Sequence, residues 1–453
     1  MDSLSITAPH GVAVMSFASS ANKVPAWRSD DAMMFLGAGS VIVCLGAVFW
    51  LIAILVENAE MEFWPAPVYH WVDAERGQEF TGQIVAKSEA SILINMGWLD
   101  GESNRIARVS RSTGLVREAP PELVRVDHVL FGKIYGVWAG ASSGSPNLVL
   151  ADDAVVQLDE AEIIRWYRPN ALDRSESWGI FTENVLSFLF RPPLNSSTMG
   201  GVYPAIVGTV VMVMLMTLFV MPLGVLGAVY LHEYAAENRL TRFVRVGVYN
   251  LAGIPSIVYG VFGLGLFVYG LGGEIDKIWY WDALPAPTFG EPGLLWAALT
   301  LALLTLPVVI VATEEGLARI PVSLREASYA LGATRAETLI KLVLPLTLPA
   351  MMTGLILAIA RAAGEVAPLM LVGVVEFAPE LPVSAEFPYL HLDQKFMHLG
   401  YHIYDLGFQS VGMEATRSRV YATALLLFLI VLVLNAFAIW VRARFARRYR
   451  QSL

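Results

Sequence analysis

Two ionisable residues, Arg361 and Glu365, stand in the apolar run AIARAAGEVAPLML. Being four positions apart, they share one face of a helix. Charged groups at membrane depth are costly and usually face a bundle interior or a water-filled path. Arginine suits an oxyanion because its planar guanidinium offers a fork of donors. Glu365 then either partners Arg361 or accepts a hydrogen bond from a protonated oxyanion. The plainer reading is an ion pair that fixes packing against a partner subunit. A second candidate stretch, LAGIPSIVYGVFGLG, starts at Leu251. Pro255 removes one helix donor there, and Ser256 can re-satisfy a freed backbone group. Ser256 and Tyr259 are candidate substrate contacts, with packing as the plainer role. Gly260, Gly263 and Gly265 allow close helix approach.

No enzyme motif accompanies these residues, and no catalytic residue is assigned. The sequence has no G-x-x-x-x-G-K-[ST] phosphate loop, so the chain is not expected to bind ATP in that way. His398 and His402 stand at i, i+4 in what reads as a wet loop. A metal site needs more ligands than these two, so no metal is expected.

A polar stretch, PVSLREASYALGATRAETLIKLVLP, runs from Pro321 to Pro345 between long apolar segments. It reads as two short helices. Ser323 with Glu326, and Thr334 with Glu337, have capping-box spacing. Gly332 falls where the first helix should end and is expected at φ > 0. Pro345 is expected to bar smooth continuation of the second helix. Ala327 and Ala330 keep one face small enough for another protein to approach closely.

The elements that must position these residues follow from composition. Of 453 residues, 56% are hydrophobic and only 16% charged, too apolar for a soluble domain. The net charge of −9 argues against nucleic-acid binding. A single cysteine, Cys44, precludes an intrachain disulfide. Six spans are expected: 32–56, 202–231, 246–271, 294–312, 349–375 and 420–441. Residues 1–31 read as a polar, disordered tail, and 442–453 as a basic tail. Residues 57–198 form a long polar section without a span. Within it, 79–86, 90–96, 128–138 and 147–158 are β-rich runs, and 162–168 is either a strand or a short helix. A small, mostly β domain is expected there.

Basic residues set the orientation. One set of segments holds Lys23 and Arg28; Arg239, Arg242 and Arg245; Arg319, Arg325, Arg335 and Lys341; and the Arg442–Arg450 cluster. The opposite short loops hold only Lys277, Lys395, Arg417 and Arg419. Both termini and the 321–345 stretch are therefore expected in the cytoplasm and the 57–198 section outside.

The 321–345 stretch resembles the EAA loop of ABC importer permeases. That pattern is Glu-Ala-Ala, three residues, Gly, nine residues, then an aliphatic-x-Leu-Pro ending. Glu326, Ala327, Ser328, Gly332, Leu342, Leu344 and Pro345 match it, with Ser328 in place of the second Ala. The segments 200–210, 222–235, 253–265 and above all LAIARAAGEVAPLMLVG at 357–373 resemble the phosphate-specific PstA branch. WGIFTENVLSFLF at 178–190 resembles the lead-in to its second span. Agreement covers about Trp178 to Val441, and the insertion at 57–177 is the departure; it either adds a docking surface or acts as a passive lid.

The resemblance implies an all-α polytopic membrane protein. It would have six transmembrane helices of the type I importer permease fold, here with an inserted external mostly-β domain. It implies a non-enzymatic subunit of a bacterial inner (plasma) membrane importer. This subunit would form half a pore beside a PstC-like permease. A PstB-like ATPase dimer carrying ATP and magnesium would dock on Glu326, Ala327, Ser328, Gly332, Leu344 and Pro345. A PstS-like phosphate-binding protein would dock outside. Transport of sulfate or molybdate, and a membrane sensor or signalling subunit, are the rival readings.

Overall fold

The computed structural model describes residues 30–73, 78–87, 91–98, 105–110, 115–142, 145–150, 154–194, 196–283, 285–378, 380–409 and 413–450. The expectation for the tail lies almost wholly outside these residues. The chain divides into two compact units, Met1–Ile54 and Leu55–Leu453, and the packing described below lies within the second.

Helix α1 (Asp30–Phe63) is the first span, and side chains of its apolar run such as Phe49 and Trp50 are exposed. The inserted section follows as ten strands in two antiparallel sheets. The strands are β1 (Val68–Asp73), β2 (Gln78–Lys87), β3 (Ser91–Asn95), β4 (Ile106–Ser110), β5 (Leu115–Glu118), β6 (Val124–His128), β7 (Gly132–Ser142), β8 (Ser145–Val149), β9 (Val155–Gln157) and β10 (Ile163–Tyr167). One sheet has the order β4-β3-β2-β1-β5 and the other β10-β6-β7-β8-β9. The run expected at 128–138 is the last residue of β6, a tight turn at 129–131 and most of β7, and 147–158 splits into β8 and β9. The 162–168 segment resolves into a 3₁₀ turn, Glu160–Glu162, and then β10.

Strands β6 and β7 alternate. Val124, Val126 and Ile134 point into an apolar core with Leu148, Leu150 and Leu158. Arg125, Asp127, Lys133 and Tyr135 fall on the other face, because side chains switch faces at each residue. Asn170 ties the section closed, donating from Nδ2 to the carbonyls of Val68 and Pro120 at 2.7 and 2.8 Å.

Helix α2 (Arg174–Phe190) starts with a capping box between Asp173 and Glu176 and packs on the end of α1. There Asn184 donates to the Phe63 carbonyl at 2.6 Å, and the Phe63 and Phe188 rings lie 5.3 Å apart. A short hairpin, β11 (Pro193–Leu194) and β12 (Ser196–Gly200), leads to α3 (Tyr203–Val229), the second span. A π-helical turn, Tyr230–Tyr234, ends that span.

Helix α4 (Arg239–Leu251) is amphipathic and lies before the third span, which starts at Ser256 rather than Val246. The chain breaks at 252–255 because Pro255 cannot donate to a continuing helix. Helix α5 (Ser256–Phe262), a π segment (Gly263–Gly272) and α6 (Gly273–Trp279) complete that span.

The fourth span, α7 (Leu294–Ala318), is the centre of the bundle and the most buried of the six spans. Close approach of its neighbours depends on missing side chains. A Cβ on Gly224 of α3 would sit 2.6 Å from Val309. Helices α8 (Val322–Ala330) and α9 (Arg335–Thr338) form the loop at 321–345. A π turn, Leu339–Val343, then feeds α10 (Leu344–Gly364) without a break. Pro345 therefore does not stop the helix. Yet the helix does not run on smoothly: the π turn just before Pro345 shifts the hydrogen-bond register, and that shift accommodates the missing N–H. A Cβ on Gly354 of α10 would sit 2.8 Å from Ala312 of α7.

The fifth span ends at Gly364, short of the expected Val375. The short helices α11 (Leu369–Val372) and α12 (Leu399–Tyr404) lie before the last span. Helix α13 (Met413–Arg450) is that span, and it carries the basic tail as helix through Arg450. Six helices are thus long and apolar enough to cross a membrane.

Candidate functional site

Arg361 sits in the last turn of α10 and Glu365 is the residue that caps it. The Arg361 Nε lies 3.5 Å from Glu365 Oε1, and both side chains are partly buried. Among the described residues, no other side chain pairs with Arg361. Its two terminal amino groups therefore remain as a planar fork.

Helix α5 lies against the turn that follows. A Cβ on Gly260 would come within 2.7 Å of Pro368, so the glycine brings the third span onto the Glu365–Pro368 turn. Gly263 fits against Thr300 of α7 in the same way, whereas Gly265 faces open space. Tyr259 is buried beside Gly260, and its hydroxyl donates to the Leu251 carbonyl at 2.6 Å across the Pro255 break. Tyr259 therefore holds α4 to α5, the packing role. Ser256 is half-buried at the first turn of α5. The structure thus brings α5 to the Arg361–Glu365 end of α10 and gives Tyr259 a structural bond there.

The 321–345 loop presents Glu326 and Ala327 on its exposed surface, while Ser328 turns in to hydrogen-bond Thr338 at 2.8 Å. Pro321, not Ser323, precedes α8, and no side chain caps it, so the Ser323–Glu326 box does not form. The Thr334–Glu337 box forms in both directions. Gly332 has φ +87°, with Gly332 N–H bonded to Tyr329 O and Ala333 N–H to Ser328 O. This pair of bonds closes α8 as a Schellman motif. Val322, Leu331 and Ile340 stay exposed on the loop, Leu331 at 90%. Leu344 and Pro345 are half-buried at its far end.

Two arginines, one of them in this loop, bind the π turn that ends the second span, and in the sequence they signal only orientation. Arg325 reaches Glu233 at 2.8 Å and donates to the Ile320 and Leu317 carbonyls. Arg245 of α4 lies 3.6 Å from Glu314 of α7 and donates to the Leu231 carbonyl. Both therefore clamp the π turn that ends the second span. Their signal is weak in the sequence, because Arg325 and Glu233 are far apart along the chain.

His398 and His402 are fully buried, which corrects the wet-loop reading. Burial pushes His398 down to about 4. Burial, then the nearby Arg419 cation, pushes His402 down to about 3. Among the described residues no group of His, Cys, Asp and Glu could hold a metal.

The family described as the binding-protein-dependent transport system inner membrane component matches residues 220–451. The phosphate transport system permease protein PstA 1 of Mycobacterium tuberculosis is 34% identical over 284 residues, 62% of this chain and 80% of that protein. A probable ABC transporter permease, YqgI of Bacillus subtilis, is 31% identical over 56% of this chain and 83% of its own length. The phosphate transport system permease protein PstA of Yersinia pestis is 32% identical over 60% and 79% respectively. With six apolar spans and this match, the chain belongs to the binding-protein-dependent transport system inner membrane component family, the permeases of ABC importers.

Proposed function

We propose that the chain is a permease subunit of an ATP-driven importer for inorganic phosphate. The observation that carries this reading is the Arg361 fork, held at the end of α10 by Glu365 and left without a second partner. An oxyanion accepts two parallel hydrogen bonds from such a fork. The reading gains support from relatives named as phosphate permeases in two bacterial genera. The chain forms half of a pore, and a second, PstC-like permease forms the other half. Its 321–345 loop, with exposed Glu326, Ala327 and Leu331, docks on a PstB-like ATPase dimer, which supplies ATP and magnesium chemistry outside this chain. A PstS-like phosphate-binding protein delivers the substrate on the opposite side. Both termini lie in the cytoplasm of a bacterial inner membrane.

The test is uptake of radiolabelled phosphate by cells lacking the chain and by cells in which it is restored. Restoration is expected to return uptake, and excess sulfate or molybdate is expected not to compete. Competition by sulfate or molybdate would reassign the substrate. Copurification of a kinase in place of an ATPase would reassign the class.

A further inference from the structure

The charged face of the β10-β6-β7 sheet is not solvated. It closes over the end of α1, helix α2 and the start of α13, around a cavity of about 290 Å³. Five cationic side chains line it: Arg125, Lys133, Arg165, Arg191 and Arg419. Two carboxylates, Glu62 and Asp127, oppose them, a surplus of three positive charges. Even with Glu183 counted, 3.9 Å from Arg165 and outside the lining, cations exceed carboxylates. His128, lowered by burial against the pull of Glu162 and Asp159, adds no charge at neutral pH.

The carboxylates are already committed. Asp127 takes Arg125 Nε at 2.9 Å and Arg165 Nε at 2.7 Å. Glu62 accepts from Ser418 at 2.7 Å and faces Arg419 at 3.8 Å. Two cations are left over, Lys133 and Arg191. Among the described residues no carboxylate lies within salt-bridge distance of Lys133, which stands opposite Asp127 in the β6–β7 register. Arg419, although it faces Glu62, is buried with its Nε unbonded. Arg191 lies exposed at the rim. A half-buried ammonium without a counter-ion and a buried guanidinium N–H without an acceptor are both unfavourable.

We propose that this cavity at the junction of the β section and the membrane helices binds a phosphate group, presented as inorganic phosphate or as the headgroup of a phospholipid. A phosphate dianion supplies acceptor oxygens for Lys133, Arg419 Nε and Arg191 together and balances the surplus. Phe63, Phe188 and Leu194 in the same lining give one wall an apolar character that accommodates a glycerol or acyl stem as well. Burial lowers the Lys133 pKa; Glu62 and Asp127 oppose that shift, and Arg125 and Arg419 add to it. A bound anion would reverse it.

The experiment uses the full chain, purified in maltoside detergent without phosphate. Equilibrium dialysis with radiolabelled phosphate reads the free anion, and native mass spectrometry after delipidation reads a retained phospholipid. One arm is expected to give one equivalent per chain, and which arm does so identifies the source. Lys133→Met and Arg191→Gln are each expected to weaken that binding about tenfold or more. Lys277→Met, an exposed lysine paired with Glu274 outside the cavity, is expected to leave it unchanged. Arg191→Gln, at the exposed rim, keeps the test valid if Lys133→Met fails to fold. Absence of both ligands from the wild-type chain overturns the proposal, as does binding that survives both cavity variants. Because the readout is binding by the isolated chain, failure here leaves the transport reading to its own uptake test.

Discussion

At the scale of single residues, Arg361 is the most exacting position. Lysine there keeps the charge and loses the fork, so a role as counter-charge to Glu365 and a role in holding an anion give different results. With the fork in contact with substrate, Arg361→Lys is expected to lower phosphate uptake about tenfold to a hundredfold, the range of a lost charge-assisted hydrogen bond of roughly 1.5–3 kcal/mol. Complex yield and basal ATPase activity, measured on the same preparations, are expected to stay near wild type. Loss of assembly in both Arg361→Lys and Arg361→Gln would make the pair structural. Gly332 gives a second prediction. A Cβ there would meet nothing within 4 Å, so any penalty is conformational and arises from φ +87°. Gly332→Val is expected to cost about 1–3 kcal/mol and to reduce uptake while membrane insertion persists. Gly332→Asn, which tolerates the left-handed region, is expected to be milder in the same assay. Both positions were visible in the sequence, Arg361 as a charge in an apolar run and Gly332 by its spacing after Glu326. The burial of His398 and His402 was not, because the side chains that enclose them come from distant parts of the chain.

At the scale of elements, the sheet β10-β6-β7 combines an apolar face with a buried charged one. Burial alone would raise the Asp127 pKa, but Arg125 and then Arg165 outweigh it and bring it to about 2. A carboxyl lowered in the folded state adds stability that is complete above its unfolded value and is lost as the pH falls through about 2. Thermal melting followed by tryptophan fluorescence is therefore expected to show a loss of about 2 kcal/mol between roughly pH 5 and pH 2. Asp127→Asn is expected to flatten that step and to lower stability at neutral pH, because two guanidiniums lose their counter-ion. The charged face had a usable sequence signal: Arg125 and Asp127 are two apart in VRVDH, and Arg165 lies in IIRWY. Strands β1, β4 and β5, and β6 apart from His128, are not legible because runs such as IARVS, LVRE and VRVDH are short and mixed in polarity. The start of the third span is hard to place from sequence because the end of α4 and α5 form one apolar stretch, and only a hydrogen-bonded turn ending at Pro255 separates them.

At the scale of the whole molecule, the six spans were legible because length and hydropathy alone define them. Their packing was not, since it depends on which glycines meet which neighbours. Accessibility tags at Asn238 and at the C-terminus are expected to report the cytoplasm, and a tag in the exposed turn at Leu130 the opposite side. A cytoplasmic report from Leu130 would break the six-span arrangement. The central position of α7 also bears on synthesis. The chain leaves the ribosome from its N-terminus, so α3 and α5 enter the membrane before the helix they pack on exists. Until residues 294–318 follow, the notch at Gly224 that receives Val309 stands open to lipid or to a chaperone. The nascent permease thus passes through a half-built stage whose lifetime is set by translation, and a ribosome stalled after α5 has emerged and before α7 has would leave it there.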